Sequence, residues 1–185
     1  HPVAHSFPTR RSSDLTCTDV TVRGNIIYHP SSHGLQLRPG GSVEDNLFVD
    51  NPLPFFVGNS IEAHFSPSVA RGNVVLGEKT IDGSPRGMAI GLHSHDVLAE
   101  SNIVAHSDGP ATNSTSYTAS SSRYSSTTGG ALYDNVPIEI LLRGNIAHGW
   151  PKRLLRVSGD WWERLEVRDN VFDSGGVYSS MVIAH

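Results

Sequence analysis

The chain holds one cysteine, Cys17, which excludes a disulfide framework and a Cys-based zinc site. Lysine occurs only at 79 and 152, and charged residues make up just 17% of the 185 positions. So few helix formers argue against a helical bundle. Basic residues are outnumbered: 14 Lys and Arg stand against 18 Asp and Glu, a formal charge of −4. That balance lacks the basic footprint of a nucleic-acid binder, so no nucleic-acid partner is expected. No apolar run approaches the roughly 18 residues that a membrane span requires. Turn chemistry, in contrast, is plentiful, with 18 Gly and 11 Pro. The length alone suggests one ordinary domain.

The first fifteen residues stand apart. Residues 5–15 read HSFPTRRSSDL, a string with no period of 2 or 3.6. It resembles a translated short-read sequencing adapter; the other reading is a basic arm in which Arg10 and Arg11 touch a polyanion. Residues 1–15 are set aside as an adapter-derived, disordered segment, and 16–185 are taken as the folded unit. Without Arg10, Arg11 and Asp14 the balance is 12 basic against 17 acidic residues, a net of −5. The chain starts with His1 and stops inside the apolar run at 181–184, so both ends are expected to be truncations.

A repeat organises the remainder. Six segments share an aliphatic or small apolar residue, a charge, a turn residue, Asn and two apolar residues. They are Val22-Arg-Gly-Asn25-Ile-Ile, Val43-Glu-Asp-Asn46-Leu-Phe, Ala70-Arg-Gly-Asn73-Val-Val, Ala99-Glu-Ser-Asn102-Ile-Val, Leu142-Arg-Gly-Asn145-Ile-Ala and Val167-Arg-Asp-Asn170-Val-Phe. The Asn spacings are 21, 27, 29, 43 and 25, which is the range of solenoids and arrays. The residues around Asn are mostly β-branched or aromatic and favour strands. Each Asn, which tolerates left-handed angles, marks a tight bend between two short strands. Strands stacked about 4.8 Å apart would put Asn25 roughly 24 Å from Asn170, with the amides hydrogen-bonded in a ladder.

The charged position reads Arg23, Glu44, Arg71, Glu100, Arg143 and Arg168, alternating in sign over the first five. Opposite charges on neighbouring strands support pairing by about 0.2–1 kcal/mol. This is expected to be an outward, solvated ladder that holds register.

On these motifs the chain, from about Val20 to Phe172, resembles the right-handed parallel β-helix of pectate-lyase-like proteins. The resemblance implies an all-β solenoid of about six coils, with Asn25, Asn46, Asn73, Asn102, Asn145 and Asn170 as its structural ladder. It also implies a polysaccharide partner, an extracellular or cell-surface location and a bacterial source. No particular cofactor is implied, and the pattern specifies no metal site.

Two features depart from the repeat. Between Asn102 and Asn145 lies a Ser/Thr/Gly stretch at about 108–131, too polar to bury an element and read as a long loop. Tyr117 and Tyr124 there are candidates for stacking on sugar rings; the alternative is a flexible bulge. Histidine is also frequent, with 10 residues. His29 and His106 both follow a ladder Asn by four residues, with Asp50 at the same offset between them. His64 and His93 both precede a ladder Asn by nine. His93 and His95 would share one face of a strand, with Asp96 adjoining. A groove holding His64, His93, His95, Asp96 and His106 would supply an acid and a base. Those five are the candidate catalytic residues; the alternative is a set of surface or satisfied histidines. Arg38 and Trp162, with the two tyrosines, are the candidate substrate-binding residues. Trp161 and Trp162 would point to opposite faces of a strand, and Trp150 sits in a turn.

The resemblance implies polysaccharide cleavage, by a lyase or a related enzyme. A lyase needs a base and a cation to neutralise the uronate carboxylate. A hydrolase needs two carboxyl groups set about 5.5 Å or about 6.5–9.5 Å apart. The Arg-x-Pro-x-x-Arg segment of well-known pectate lyases is missing. So are the paired Asp, Gly-His-Gly and Arg-Ile-Lys segments of polygalacturonases, although Ser32-His33-Gly34 resembles part of one. Asp50, Asp96 and Asp108 are too scattered to suggest a calcium site. The competing reading is a non-catalytic structural or glycan-binding β-helix, since fold does not fix function.

Overall fold

A computed structural model describes residues 20–38, 40–58, 67–77, 88–93, 96–105, 115–121, 139–150, 153–159, 163–174 and 180–184. These residues form strands and bends, with no helix among them. Eighteen strands, numbered in chain order, enter three parallel sheets in strict rotation. The first sheet runs β1 (Thr21–Arg23), β4 (Gly41–Glu44), β7 (Ser68–Arg71), β10 (Asp96–Glu100), β13 (Glu139–Arg143) and β16 (Arg164–Arg168). The second runs β2 (Ile26–Tyr28), β5 (Leu47–Val49), β8 (Val74–Leu76), β11 (Ile103–Ala105), β14 (Ile146–His148) and β17 (Val171–Asp173). The third runs β3 (His33–Leu37), β6 (Leu53–Gly58), β9 (Met88–His93), β12 (Thr115–Ser121), β15 (Arg153–Gly159) and β18 (Ser180–Ala184). Three successive strands, one per sheet, make a rung, and the six rungs follow one another in sequence order.

Each strand alternates in and out of a shared interior. The first sheet contributes Val43, Ala70, Ala99 and Leu142. The second contributes Phe48, Val75, Val104 and Ala147, and the third Phe55, Ile90, Tyr117 and Leu155. All belong to one apolar cluster. Rungs pair with only their neighbours, so register is set locally: Ala99 lies opposite Ala70 and Leu142, and Val104 opposite Val75 and Ala147.

The bend between the first and second sheets shows how the six-residue motif works. The residue before each Asn is the left-handed one: Gly24, Asp45, Gly72, Ser101, Gly144 and Asp169 have φ between 51° and 70°. The sequence reading had given that conformation to Asn itself. Asn instead leaves its side chain free to turn inward. Asn73 shows the arrangement: its Nδ2 donates to Val43 O at 2.7 Å and to Asn102 Oδ1 at 2.9 Å, while its backbone N–H donates to the same Oδ1 at 3.0 Å. The same bonds link Asn25 to Asn46, Asn46 to Asn73, Asn102 to Asn145 and Asn145 to Asn170. The four inner amides are at most 2% exposed, so the bend buries polar atoms only because each has a partner.

The charge ladder lies on the outer face of the first sheet. Arg71 reaches Glu100 at 3.1 Å and Glu44 at 4.0 Å, and Arg143 reaches Glu100 at 2.9 Å. Arg23 turns to Asp45 instead, at 2.8 Å. Arg164 donates a hydrogen bond to Glu166 that, with the charge of Arg168, lowers that carboxyl below its usual range.

One expectation is corrected. The Ser/Thr stretch at about 108–131 contains a strand, β12, which pairs with β9 on one side and β15 on the other. Two flanking strands supply the partners that its own composition does not. The segment set aside at 1–15 lies outside the described residues.

Candidate functional site

The outer face of the third sheet brings together two of the site residues that the structure describes, Arg38 and His93. With Leu37, Val57 and Leu92 pointing inward, two outward rows are defined. Among the described side chains, one row holds positions 36, 56, 91 and 156; the other holds 58 and 93 and is continued at its near end by Arg38. Arg38 and His93, proposed from sequence for different roles, therefore share a row. Gly58 lies between them and contributes no side chain. Two strand spacings set them about 9.6 Å apart along the stack.

Arg38 is anchored on this face. Its guanidinium lies 5.6 Å from the centre of the Phe56 ring and 3.4 Å from Gln36 Oε1. Phe56 points outward yet is only 7% exposed. His33 meets the same ring edge-on, with centroids 6.0 Å apart, and its Nδ1 is 2.8 Å from Ser32 Oγ. Arg156, exposed, shares the row of Phe56.

His93 ends β9 and is packed over Gly91: a Cβ there would lie 3.1 Å from His93 Nε2 and would strike Met88 Sδ. Gly58, at φ +88°, is likewise closed to a side chain, which would strike the His93 carbonyl. Burial lowers the His93 pKa to about 4, so the ring is neutral at pH 7. A neutral imidazole accepts protons and hydrogen bonds, but this one is a weak base.

The other proposed residues are distributed as follows. Asp96 opens β10, in register with Glu139, and so belongs to the first sheet. His64, His95, His106, Tyr124 and Trp162 lie outside the described residues, as do Asp108 and Trp161. Tyr117 requires a correction. Its ring is 2% exposed in the core, and its hydroxyl sits 3.0 Å from Asn102 O and 2.9 Å from Ile146 O. It braces two rungs and has no face for a sugar. Trp150 is likewise fully buried. His29 forms a 2.9 Å pair with Asp50 at the second bend, on the opposite side of the second sheet from the Asn ladder.

Sequence reasoning missed Gln36, Phe56 and Arg156. The signal for Phe56 was the unbroken apolar run Phe55-Phe56-Val57, in which one aromatic ring has to face outward. Among the described residues no three His, Cys, Asp or Glu side chains are placed to hold a metal ion, and no helix is long and apolar enough to cross a membrane. No family model, curated protein or solved structure matches the chain.

Proposed function

We propose that the chain is a right-handed parallel β-helix of the pectate-lyase-like kind that binds an acidic polysaccharide along the outer face of its third sheet. The rotation of strands through three parallel sheets around one core supports the β-helix, as does the strong preference of parallel crossovers for the right hand. One observation carries the binding reading. The described side chains of the two outward rows include Arg38, Arg156 and His93, with no Asp or Glu among them. Guanidinium groups pair with carboxylates in fixed geometry, and regularly spaced rungs suit a polymer with repeating charge. Such a ligand belongs outside the cell, and an extracellular or surface location in a bacterium is part of the proposal.

Calorimetric titration of the chain with polygalacturonate, alginate and a neutral β-glucan tests it. The expected result is binding to the acidic polymers alone, weakened about tenfold by Arg38→Ala or Arg156→Ala, since a charged hydrogen bond contributes about 1.5–3 kcal/mol. Equal binding of the neutral glucan, or indifference to both substitutions, refutes it.

A second reading, a polysaccharide lyase, is favoured by His93 and Arg38 flanking the side-chain-free position at Gly58. There the imidazole would take the C5 proton next to a uronate carboxylate held by Arg38, the C4–O bond breaking as the C4=C5 double bond forms and the leaving oxygen taking a proton from water. Formation of unsaturated product, followed by ultraviolet absorbance and abolished by His93→Ala, distinguishes this reading from binding alone.

A further inference from the structure

All three sheets have their edges at the same two places, rung one (β1, β2 and β3) and rung six (β16, β17 and β18). The core columns open there. Val43, Phe48 and Phe55 in rung two are 0% exposed, whereas Val167 and Met181 in rung six are 36% and 60% exposed. An unpaired strand edge is a template for pairing with another chain.

The Asn ladder gives the two edges opposite polarity. At each internal step the N–H and Nδ2 of one Asn donate to Oδ1 of the Asn in the following rung, as Asn46 does to Asn73. Asn170, in rung six, accepts from Asn145 and donates to Leu142 O. By the same geometry its N–H and second Nδ2 hydrogen point onward along the stack. In rung one, Asn25 Oδ1 points the other way and accepts from no described donor. The Asn25 Nδ2 turns to Arg23 O in its own rung, where Asn46 Nδ2 and its successors reach a carbonyl of the preceding rung. The backbone follows suit. Leu47 N–H donates to Asn25 O and Val171 N–H to Asn145 O, so Ile26, at the same position in rung one, directs its N–H away from rung two.

We propose that a second copy of the chain stacks on the first in register, with rung one of the partner on rung six, so that the ladder runs on through the junction. The partner's Asn25 Oδ1 then accepts from Asn170 N–H and Nδ2. The partner's Asn25 Nδ2 reaches Val167 O, and the partner's Ile26 N–H donates to Asn170 O. The core columns meet apolar to apolar: Val167 on the partner's Val22, Phe172 on the partner's Ile27 and Met181 on the partner's Leu35. The left-handed column also continues. Asp45 Oδ1 fills the place of a Cβ at Gly72, and Asp50 Oδ1 that at Gly77. Asp169, left-handed like Asp45, would stand over the partner's Gly24, whose Cβ position has nothing within 4 Å in the single chain. Arg168 would stand beside the partner's Arg23, but Glu166 and Asp45 already hold these two, and Arg143 and Arg168 are neighbours of the same kind within the chain.

Like edges do not fit each other. Rung one against rung one opposes Oδ1 to Oδ1, and rung six against rung six opposes donor to donor. The contact is therefore head to tail, and a contact of this kind propagates as a filament instead of closing as a dimer. Residues 20–38 would meet residues 163–174 and 180–184, close to the about 20–30 residues a side of a standard interface. Copies would repeat about every 29 Å, the height of six rungs.

Sedimentation velocity and electron microscopy of the full chain, from low micromolar to sub-millimolar concentration, test the proposal. The expected result is a mass that rises with concentration and unbranched filaments one chain wide. Ile26→Pro removes an N–H that faces away from rung two and blocks rung one. Met181→Asp places a charge at an exposed position and blocks rung six. Each variant alone should associate at least about tenfold more weakly, with the circular dichroism spectrum unchanged. An equimolar mixture should stop at one-to-one heterodimers, because each variant keeps the edge that the other lacks. Asn25→Ala, which orphans no buried donor within the chain, should also weaken association at least about tenfold and serves if the proline variant fails to fold. A chain that stays monomeric at all concentrations overturns the proposal, as does association indifferent to these substitutions. Self-association of either blocked variant at full strength, or a mixture that stays monomeric, overturns the head-to-tail polarity.

Discussion

Replacing Asn102 with Ala should be far more damaging than replacing Asn25, although both occupy the same place in the motif. Asn102 Oδ1 accepts from two buried donors of the preceding rung, the Asn73 N–H at 3.0 Å and Asn73 Nδ2 at 2.9 Å. Its own Nδ2 donates to Ala70 O at 2.9 Å and to Asn145 Oδ1 at 2.9 Å. Truncation to Ala leaves the Asn73 N–H and one of the two Asn73 Nδ2 hydrogens without a partner, the other still meeting Val43 O, and Asn73 is fully buried. Each unsatisfied buried group costs about 1–3 kcal/mol, so about 2–6 kcal/mol is lost, a large part of a typical stability of about 5–15 kcal/mol. Asn25 sits at the exposed edge of the ladder. It donates to Arg23 O and Asn46 Oδ1, but no described donor depends on its own oxygen. Asn25→Ala removes two partly solvent-accessible bonds but orphans no buried donor, so it should cost about 1 kcal/mol, the low end of their net value. Urea unfolding followed by circular dichroism measures the difference, and hydrogen exchange at the Asn73 amide locates it. Equal losses at the two positions would refute the argument that burial of the orphaned donors sets the cost.

Three further outcomes follow from named contacts. Tyr117→Phe should lose about 0.5–1.5 kcal/mol, because one hydroxyl bond goes while the ring stays, whereas Tyr117→Ala should lose about 3–5 kcal/mol; comparable losses would mean that the hydroxyl, not the ring, dominates. Gly72→Ala should destabilise more than Gly24→Ala, since a Cβ at Gly72 strikes Asp45 Oδ1 and one at Gly24 meets nothing within 4 Å; the gap should close in an Asp45→Ala background. His93, with its pKa lowered to about 4 in the folded chain, binds its proton later than in the unfolded chain as pH falls. Stability should therefore be flat above pH 6.5 and decline by up to about 3 kcal/mol between pH 6.5 and pH 4, and this decline should be absent in His93→Gln.

What was legible in the sequence was whatever repeats once per rung. The Asn spacing located the first bend, and the apolar pairs after it became the strands of the second sheet, because a two-residue period and a fixed turn residue are local properties. The column before Asn was legible as composition only. Gly, Asp, Gly, Ser and Gly alternate there, and at one rung the space itself excludes a side chain: Asp45 Oδ1 occupies the place that a Cβ at Gly72 would take, whereas Ser101 Oγ stands at ordinary contact, 3.6 Å, from the corresponding place at Gly144. The second bend repeats the device, with Asp50 Oδ1 over Gly77 and the Asp50 carboxylate also held by His29. This makes the offset shared by His29 and Asp50 a stacking contact and removes it as evidence for a catalytic cluster.

The third sheet was the least legible because its strands follow connections of unequal length. Residues 115–121 read as loop by composition, since Ser and Thr bury little apolar area. A strand with a neighbour on both sides needs no apolar payload of its own, provided one residue anchors it, and Tyr117 does so by crossing the core to the carbonyls at the Asn bend. The same property limits function. A residue that anchors a polar strand cannot also offer its ring to a sugar, so the recognition proposed for this sheet would rest on outward positions such as Arg38 and Arg156. Their spacing in the sequence carries no signal of the face that they share.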